Sequence, residues 1–310
     1  MKKRFLIAGA VILALGAVAF VIGMSVLDWN FTALNSETWE ARVYELGEET
    51  DESDGVNIVS IDVRNAAIVV RSGEKLKIEY EESEFTEFNI DFYDGTLSME
   101  EKHRKLHIFS MFNIHSPTIT LTLPKAGAAR RHLLLETTNG AIDVEGDFKL
   151  IAAETTNGAV TISDATVENS VSVDATNGAV TLSNVTVTDF KEGSLGAHTT
   201  NGAVRLNNVK SSHIDIGATN GSVSLTDVDA AEMIASTVNG AIKATRLGIT
   251  EEADIESMNG SITLSLTGDK NRYSLSADTH GDVHLQERPH GPVEIDCETF
   301  NGDITITFDE

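Results

Sequence analysis

The 310-residue sequence predicts an all-β protein, a β-solenoid of about nine rungs, parallel β-helix-like, with an N-terminal β module and one N-terminal transmembrane helix. Three observations carry this. An Asn-Gly phrase returns at near-even spacing through the second half of the chain, hydrophobic residues flank each return at intervals of two, and an uncharged 23-residue run stands near the start.

That run comes first. Lys2, Lys3 and Arg4 precede residues 5–27, FLIAGAVILALGAVAFVIGMSVL, and Asp28, Glu37 and Glu40 follow. Such a run is long enough to cross a hydrocarbon core of about 30 Å. The flanking charges orient it with the N-terminus in the cytoplasm and the bulk of the chain outside, as a single-pass cell-membrane protein. A cleaved signal peptide is the competing reading, through "AVA" at 17–19; the run continues past that site, which favours an uncleaved anchor. Residues 1–27 are thus a basic tip and anchor, and 28–55 an acidic juxtamembrane segment containing "WEARVYEL", a short strand, and "GEETDESDG", a solvated connector.

Residues 56–131 read as an N-terminal β module that caps the solenoid. "VNIVSIDVRNAAIVVRS" and "KLKIEYEE" alternate as strands do, and Asp94-Gly95 sits between alternating arms as a hairpin turn. "KHRKLH" at 102–107 is the basic cluster beyond the N-terminus, and "SPTITLTLPK" gives a further strand, stopped at Pro124.

Residues 132–310 are the repeat. Its corners are Asn139-Gly140, Asn157-Gly158, Asn177-Gly178, Asn201-Gly202, Asn220-Gly221, Asn239-Gly240, Asn259-Gly260, Gly281 (after His280) and Asn301-Gly302, with glycines 18, 20, 24, 19, 19, 20, 21 and 21 residues apart. Apolar residues recur two and four after the glycine, and five and seven before it, as in Val160, Ile162, Ala153 and Ile151 around Gly158. Each arm therefore has the two-residue period of a strand with one buried face. Equivalent columns at a repeat near 20 residues suit rungs that stack on their counterparts rather than a meander of hairpins. The left-handed tolerance of Asn and Gly suits the corner, and repeated Asn side chains can hydrogen-bond in a ladder. The longer spacing before Gly202 implies a loop at "DFKEGSLG".

From about Trp39 onward the chain resembles the bacterial "putative adhesin" domain family, a domain of unknown function. The order anchor, "WEARVYEL", "DGTLSME", "HIFSMFNIHSPTITLTLPK", repeats carries the resemblance, and "SPTITLTLPK" is its most specific part. The resemblance implies a membrane-anchored β-solenoid of the bacterial envelope associated with cell-envelope stress regulation, and it supplies no catalytic residues. The family corner usually reads Ser/Thr-Gly-Asp; here only Asp282 and Asp303 supply the acid.

The formal charge of −25 argues against nucleic acid as a partner, since phosphate binding needs clustered Lys and Arg. Four residues before the glycine, Glu136, Glu154 and Asp174 face outward on consecutive rungs. Neighbouring carboxylates about 5 Å apart repel by about 1 kcal/mol in water, which solvent exposure or a bound Ca²⁺ would relieve. These three are the candidate metal ligands and Ca²⁺ the candidate cofactor. No catalytic or other cofactor-binding residue is assigned. Paired carboxylates could also serve glycoside hydrolysis, which makes a polysaccharide-cleaving enzyme on a β-helix the alternative reading. His103 and His107, and His280, His284 and His290, lack the spacing of a zinc site. Cys297, in an inward column, reads as a small hydrophobe.

Thr138, Thr156, Thr176, Thr200 and Thr219 fill one outward column on five rungs, followed by Val238 and Met258; this is the candidate recognition face. The expected function is therefore non-catalytic: an adhesion or interaction scaffold meeting a protein or glycan partner in the envelope. The strand edge at the C-terminal rung is left open for a partner or for self-association.

Overall fold

In the computed structural model, the structure describes residues 25, 38–46, 55–83, 86–102, 116–125, 131–285 and 290–309. The apolar run of residues 5–27 (apart from residue 25), the acidic stretch 47–54, His103 and His107 lie outside them. Among the described residues no helix is long and apolar enough to cross a membrane. The chain divides into two units. One comprises residues 1–40, 82–87 and 103–115, and its described part includes a turn in which the Ser83 amide donates to the Thr86 carbonyl at 2.9 Å and the Thr86 amide to Ser83 Oγ at 3.0 Å. The other comprises residues 41–81, 88–102 and 116–310 and holds the repeats.

Strands account for nearly all the regular structure. Before the repeats come β1 (Glu40–Glu45), β2 (Ile58–Val63), β3 (Ala67–Gly73), β4 (Lys77–Glu82), β5 (Glu87–Tyr93), β6 (Thr96–Lys102) and β7 (Thr118–Pro124). Asp94 and Gly95, both at positive φ, make the two-residue primed turn between β5 and β6. The repeats supply β8 (His132–Thr137), β9 (Ile142–Thr155), β10 (Val160–Ala175), β11 (Val180–Val187), β12 (Ser194–Thr199), β13 (Val204–Ala218), β14 (Val223–Thr237), β15 (Ile242–Ser257) and β16 (Ile262–Leu266). After a single 3₁₀ turn at Lys270–Arg272 come β17 (Tyr273–Thr279), β18 (Val283–Leu285), β19 (Val293–Thr299) and β20 (Ile304–Phe308).

Counterpart strands pair in parallel, in the register that the repeat columns set. Val160 lies against Ile142 on one side and Val180 on the other, and Asp174 lies between Glu154 and His198. The nine corners thus belong to a β-solenoid. From the rung of Gly140 to that of Gly240 each rung has three strand segments, one more than the alternating arms imply. In the rung of Gly158 these are residues 151–155, 160–163 and 165–167, and they send Ile151, Ala153, Thr155, Val160, Ile162, Ala165 and Val167 into one continuous core. Adjacent rungs bury these columns against one another, so each fully enclosed Val or Ile contributes about 1.5–3 kcal/mol.

The corner is a close-packing device. A Cβ placed on any of the nine corner glycines would overlap the backbone of the rung it stacks on: Gly158 meets the Gly140 carbonyl, Gly221 that of Gly202, Gly302 that of Gly260. The corner Asn and Gly residues are absent from the positive-φ positions, which corrects the left-handed geometry expected for them. Glycine is required because backbone approaches backbone. The expected asparagine ladder is present: Asn157 Nδ2 donates to Asn139 Oδ1 at 2.8 Å, and the series continues through Asn177, Asn201, Asn220, Asn239 and Asn259 to Asn301. It also extends one rung beyond the recognised repeat, because Asn139 Nδ2 donates to Asn65 Oδ1 at 2.7 Å.

Beneath it runs a buried hydroxyl ladder. Thr155 Oγ1 donates to the Gly140 carbonyl at 2.9 Å, Thr237 to Gly221 at 2.8 Å, Ser257 to Gly240 at 3.0 Å and Thr299 to Gly260 at 2.9 Å. These bonds meet the hydrogen-bonding need of corner carbonyls that have left the strand ladder. Left-handed backbone appears instead six residues past the glycine, at Gly146, Asp164, Asn184, Asn208, Asp227 and Arg246. There a second bend turns the strand, and its side chains also ladder: Asn184 Nδ2 donates to Asp164 Oδ1 at 2.8 Å, Asn208 Nδ2 to Asn184 Oδ1 at 2.9 Å, and the Arg246 guanidinium is bidentate on Asp227.

At both ends the stacking order departs from chain order. β2 and β3 lie between β6–β7 on one side and β8–β9 on the other, all parallel, and β4 covers β7 antiparallel. The sequence 56–131 therefore adds two layers to the stack. The buried Arg131 ties it to the first repeat, donating to the carbonyls of Val56 at 3.3 Å and Pro124 at 2.6 Å. At the other end β19–β20 insert between β15–β16 and β17–β18. The final rung in sequence thus has partners on both edges, and the outer edge is that of β17–β18, contrary to the open last rung expected from simple succession. Rung eight also shifts by one residue. Thr279 aligns with Thr299, so Leu275 and Ala277 face the core in place of Ser274 and Ser276, and His280 lies against Phe300 rather than in the asparagine column.

Candidate functional site

The first segment of each rung presents two outward columns that straddle the buried hydroxyls, four and two residues before the glycine. Register runs the first column through Asp62, Glu136, Glu154, Asp174, His198, Gly217, Ser236, Glu256 and Glu298. The second holds the five expected threonines, all exposed, and then Val238, Met258 and Phe300.

Between them lies a groove of about 860 Å³ spanning seven rungs, from that of Gly158 to that of Gly302. At about 4.8 Å per rung it is about 30 Å long. At Gly217 and Ser236 the first column carries its smallest residues, which leaves a notch in that wall. A Cβ on Gly217 would stand 3.0 Å from His198 Cδ2 and 3.3 Å from Ser236 Oγ, so those two neighbours border the notch from either side. His198 Nε2 lies 3.3 Å from Asp215 Oδ1, which holds the ring over the notch. Toward Gly302 the wall becomes apolar: Val238, Met258 and Phe300 are 38%, 55% and 58% exposed on three stacked rungs.

Of the expected recognition residues, Thr176, Thr200 and Thr219 line this groove, and Thr138 and Thr156 lie beyond its lining. Of the expected metal candidates, Glu154 and Asp174 line it and Glu136 does not. Glu136 sits between Asp62 and Glu154, so four carboxylates occupy successive rungs. The Asp62 charge, then partial burial, then Glu154 push the Glu136 carboxyl above the usual range. Among the described residues no group of three or more His, Cys, Asp or Glu is placed to hold a metal ion. The groove lining contains no lysine or arginine. Cys297 is buried, and desolvation pushes its thiol up to about 12, so it packs as an apolar side chain.

Sequence reasoning missed the notch and the extent of the apolar wall. His198, Gly217, Ser236, Glu256, Glu298 and Phe300 were legible as members of their columns, but concavity depends on the size and lean of the side chains in the two columns over several rungs.

These features define a class, a β-solenoid with a long groove beside its corner ladder. The chain belongs to the Toastrack DUF4097 family, whose model matches residues 56–307. Among solved structures, a "putative adhesin" of Parabacteroides distasonis is 9% identical, covers 87% of this chain and 97% of its own, and superposes with a TM-score of 0.50. A "putative adhesin" of Bacteroides fragilis is 14% identical over 87% of this chain and 97% of its own, with a TM-score of 0.47. No curated protein matches the chain.

Proposed function

We propose that the protein is a non-catalytic adhesion or interaction scaffold of the bacterial envelope, anchored through residues 5–27 with its solenoid outside the membrane and tied to the envelope-stress response. The observation that carries this reading is the groove, a continuous 30 Å track on a regular stack, lined by hydroxyl, carboxylate and apolar side chains without a lysine or arginine. Such a lining suits recognition along a length rather than chemistry at a point. The names borne by the similar structures support an adhesive role, and the sequence pattern of residues 2–40 supports the anchor.

The test has two parts. In intact cells a membrane-impermeant maleimide should label a Phe190→Cys variant, because Phe190 is exposed and the native thiol is buried. Cells displaying the full chain should also attach to an envelope-coated surface more than cells displaying residues 1–55 alone. Labelling only after lysis, or equal attachment, overturns the proposal.

A further inference from the structure

Resting on the binding role proposed above, we infer that the groove is a docking track for an extended basic segment of a partner protein that carries apolar side chains in one half. Charge, shape and wall chemistry each point to this occupant.

Charge comes first. Glu154 and Asp174 stand at one end and Glu256 and Glu298 at the other, on a chain of net charge −25, and no cation in the lining offsets them. A cationic occupant gains at both ends, whereas an anionic membrane surface is repelled. Shape comes next. The two columns that flank the groove stand two residues apart on one strand, about 7 Å, which is narrower than the roughly 10 Å diameter of a helix. An extended chain fits; about ten residues at 3.3 Å each cover the track. The walls decide between polypeptide and glycan. Val238 and Met258 offer branched and thioether surface, which adapts to aliphatic side chains, while the flat ring faces in the lining, His198 and Phe300, stand four rungs apart.

The occupant therefore lies with lysines over Asp174, small residues over the Gly217–Ser236 notch, and aliphatic residues on Val238, Met258 and Phe300, flanked by lysines facing Glu256 and Glu298. Because the rim carboxylates are exposed, their attraction falls as salt shortens the screening length.

The full chain in zwitterionic nanodiscs is titrated against a fluorescent ten-residue peptide with three lysines in one half and leucines alternating with lysine in the other. Empty nanodiscs serve as the blank. Binding is expected to weaken about tenfold in Glu256→Gln/Glu298→Gln and about tenfold or more in Met258→Ser/Phe300→Ser. It should also weaken with added salt, and be lost for peptides with Glu in place of Lys or Ser in place of Leu. A Thr181→Ala change on the adjoining face should leave it unchanged. Unaltered unfolding temperatures keep the comparison clean. The inference is overturned if the peptide binds all variants equally, if it does not bind, or if a glucosamine oligomer binds with this groove dependence and the peptide does not. Loss of peptide binding with attachment intact removes this inference alone; equal attachment in the cell assay removes the adhesive reading.

Discussion

The corner at Asn157-Gly158 and the bend at Asp164 lie six residues apart, both turn the chain, and both carry a ladder of polar side chains. They are built on different constraints. At the nine corners of the repeat the backbones of neighbouring rungs approach so closely that a Cβ would overlap the rung beneath, and glycine stands at each; Ala66 takes the place in the rung below Gly140. At the bend the constraint is a left-handed φ, which Gly, Asp, Asn and Arg all satisfy in different rungs. Steric exclusion is absolute, whereas a backbone preference is a bias of about 1 kcal/mol. That is why one position is the same through all nine repeats and the other is not.

The comparison can be broken in several places. The largest effect is expected at the corner: Gly221→Ala should cost about 1–3 kcal/mol or more through forced backbone displacement, lowering the midpoint in thermal unfolding by several degrees. A loss below that of a bend substitution would refute the steric account. Next comes the buried hydroxyl. Thr237→Val leaves the Gly221 carbonyl without its side-chain donor and should cost about 1–3 kcal/mol in chemical denaturation. Thr237→Ser should retain most of the stability. At the bend, Asn184→Gly keeps the left-handed backbone and loses the side-chain ladder, so the expected change is about 0.5–1 kcal/mol.

The smallest effect lies in the carboxylate column. Glu136 is held above its usual range, so its proton is bound more tightly folded than unfolded, and repulsion from Asp62 and Glu154 is relieved as pH falls through the carboxylate range. Glu136→Gln should therefore raise the midpoint slightly at pH 7, by less than about 0.5 kcal/mol given solvent screening. The advantage should vanish in acid, and an equal advantage at both pH values would contradict the assignment.

The corner and its stacking were legible because Asn-Gly with Val160 and Ile162 repeats a local pattern, and a solenoid is a local pattern multiplied. The bend was legible in principle as the column Asp164, Asn184, Asn208, Asp227, but it falls inside runs that alternate well enough to read as single strands. The swapped ends were not legible. β2–β3 and β19–β20 carry the same inward columns as their neighbours, so the pattern lets any of them stack on any other; the groups that differ at the ends, Arg131 and the Tyr273 hydroxyl, which donates to the Thr267 carbonyl at 2.6 Å, belong to no repeating column. Of the site, the threonines and carboxylates were visible as columns. The groove was not, since it depends on how the side chains of two neighbouring columns sit over seven stacked rungs, Gly217 and Ser236 among them.

The most direct test of the functional account fills that notch without changing charge. Ser236→Trp, compared with the native chain in the peptide titration, should leave the unfolding midpoint within about a degree and weaken binding by about tenfold or more. Native affinity in a folded Ser236→Trp protein would show that the groove is not the binding site.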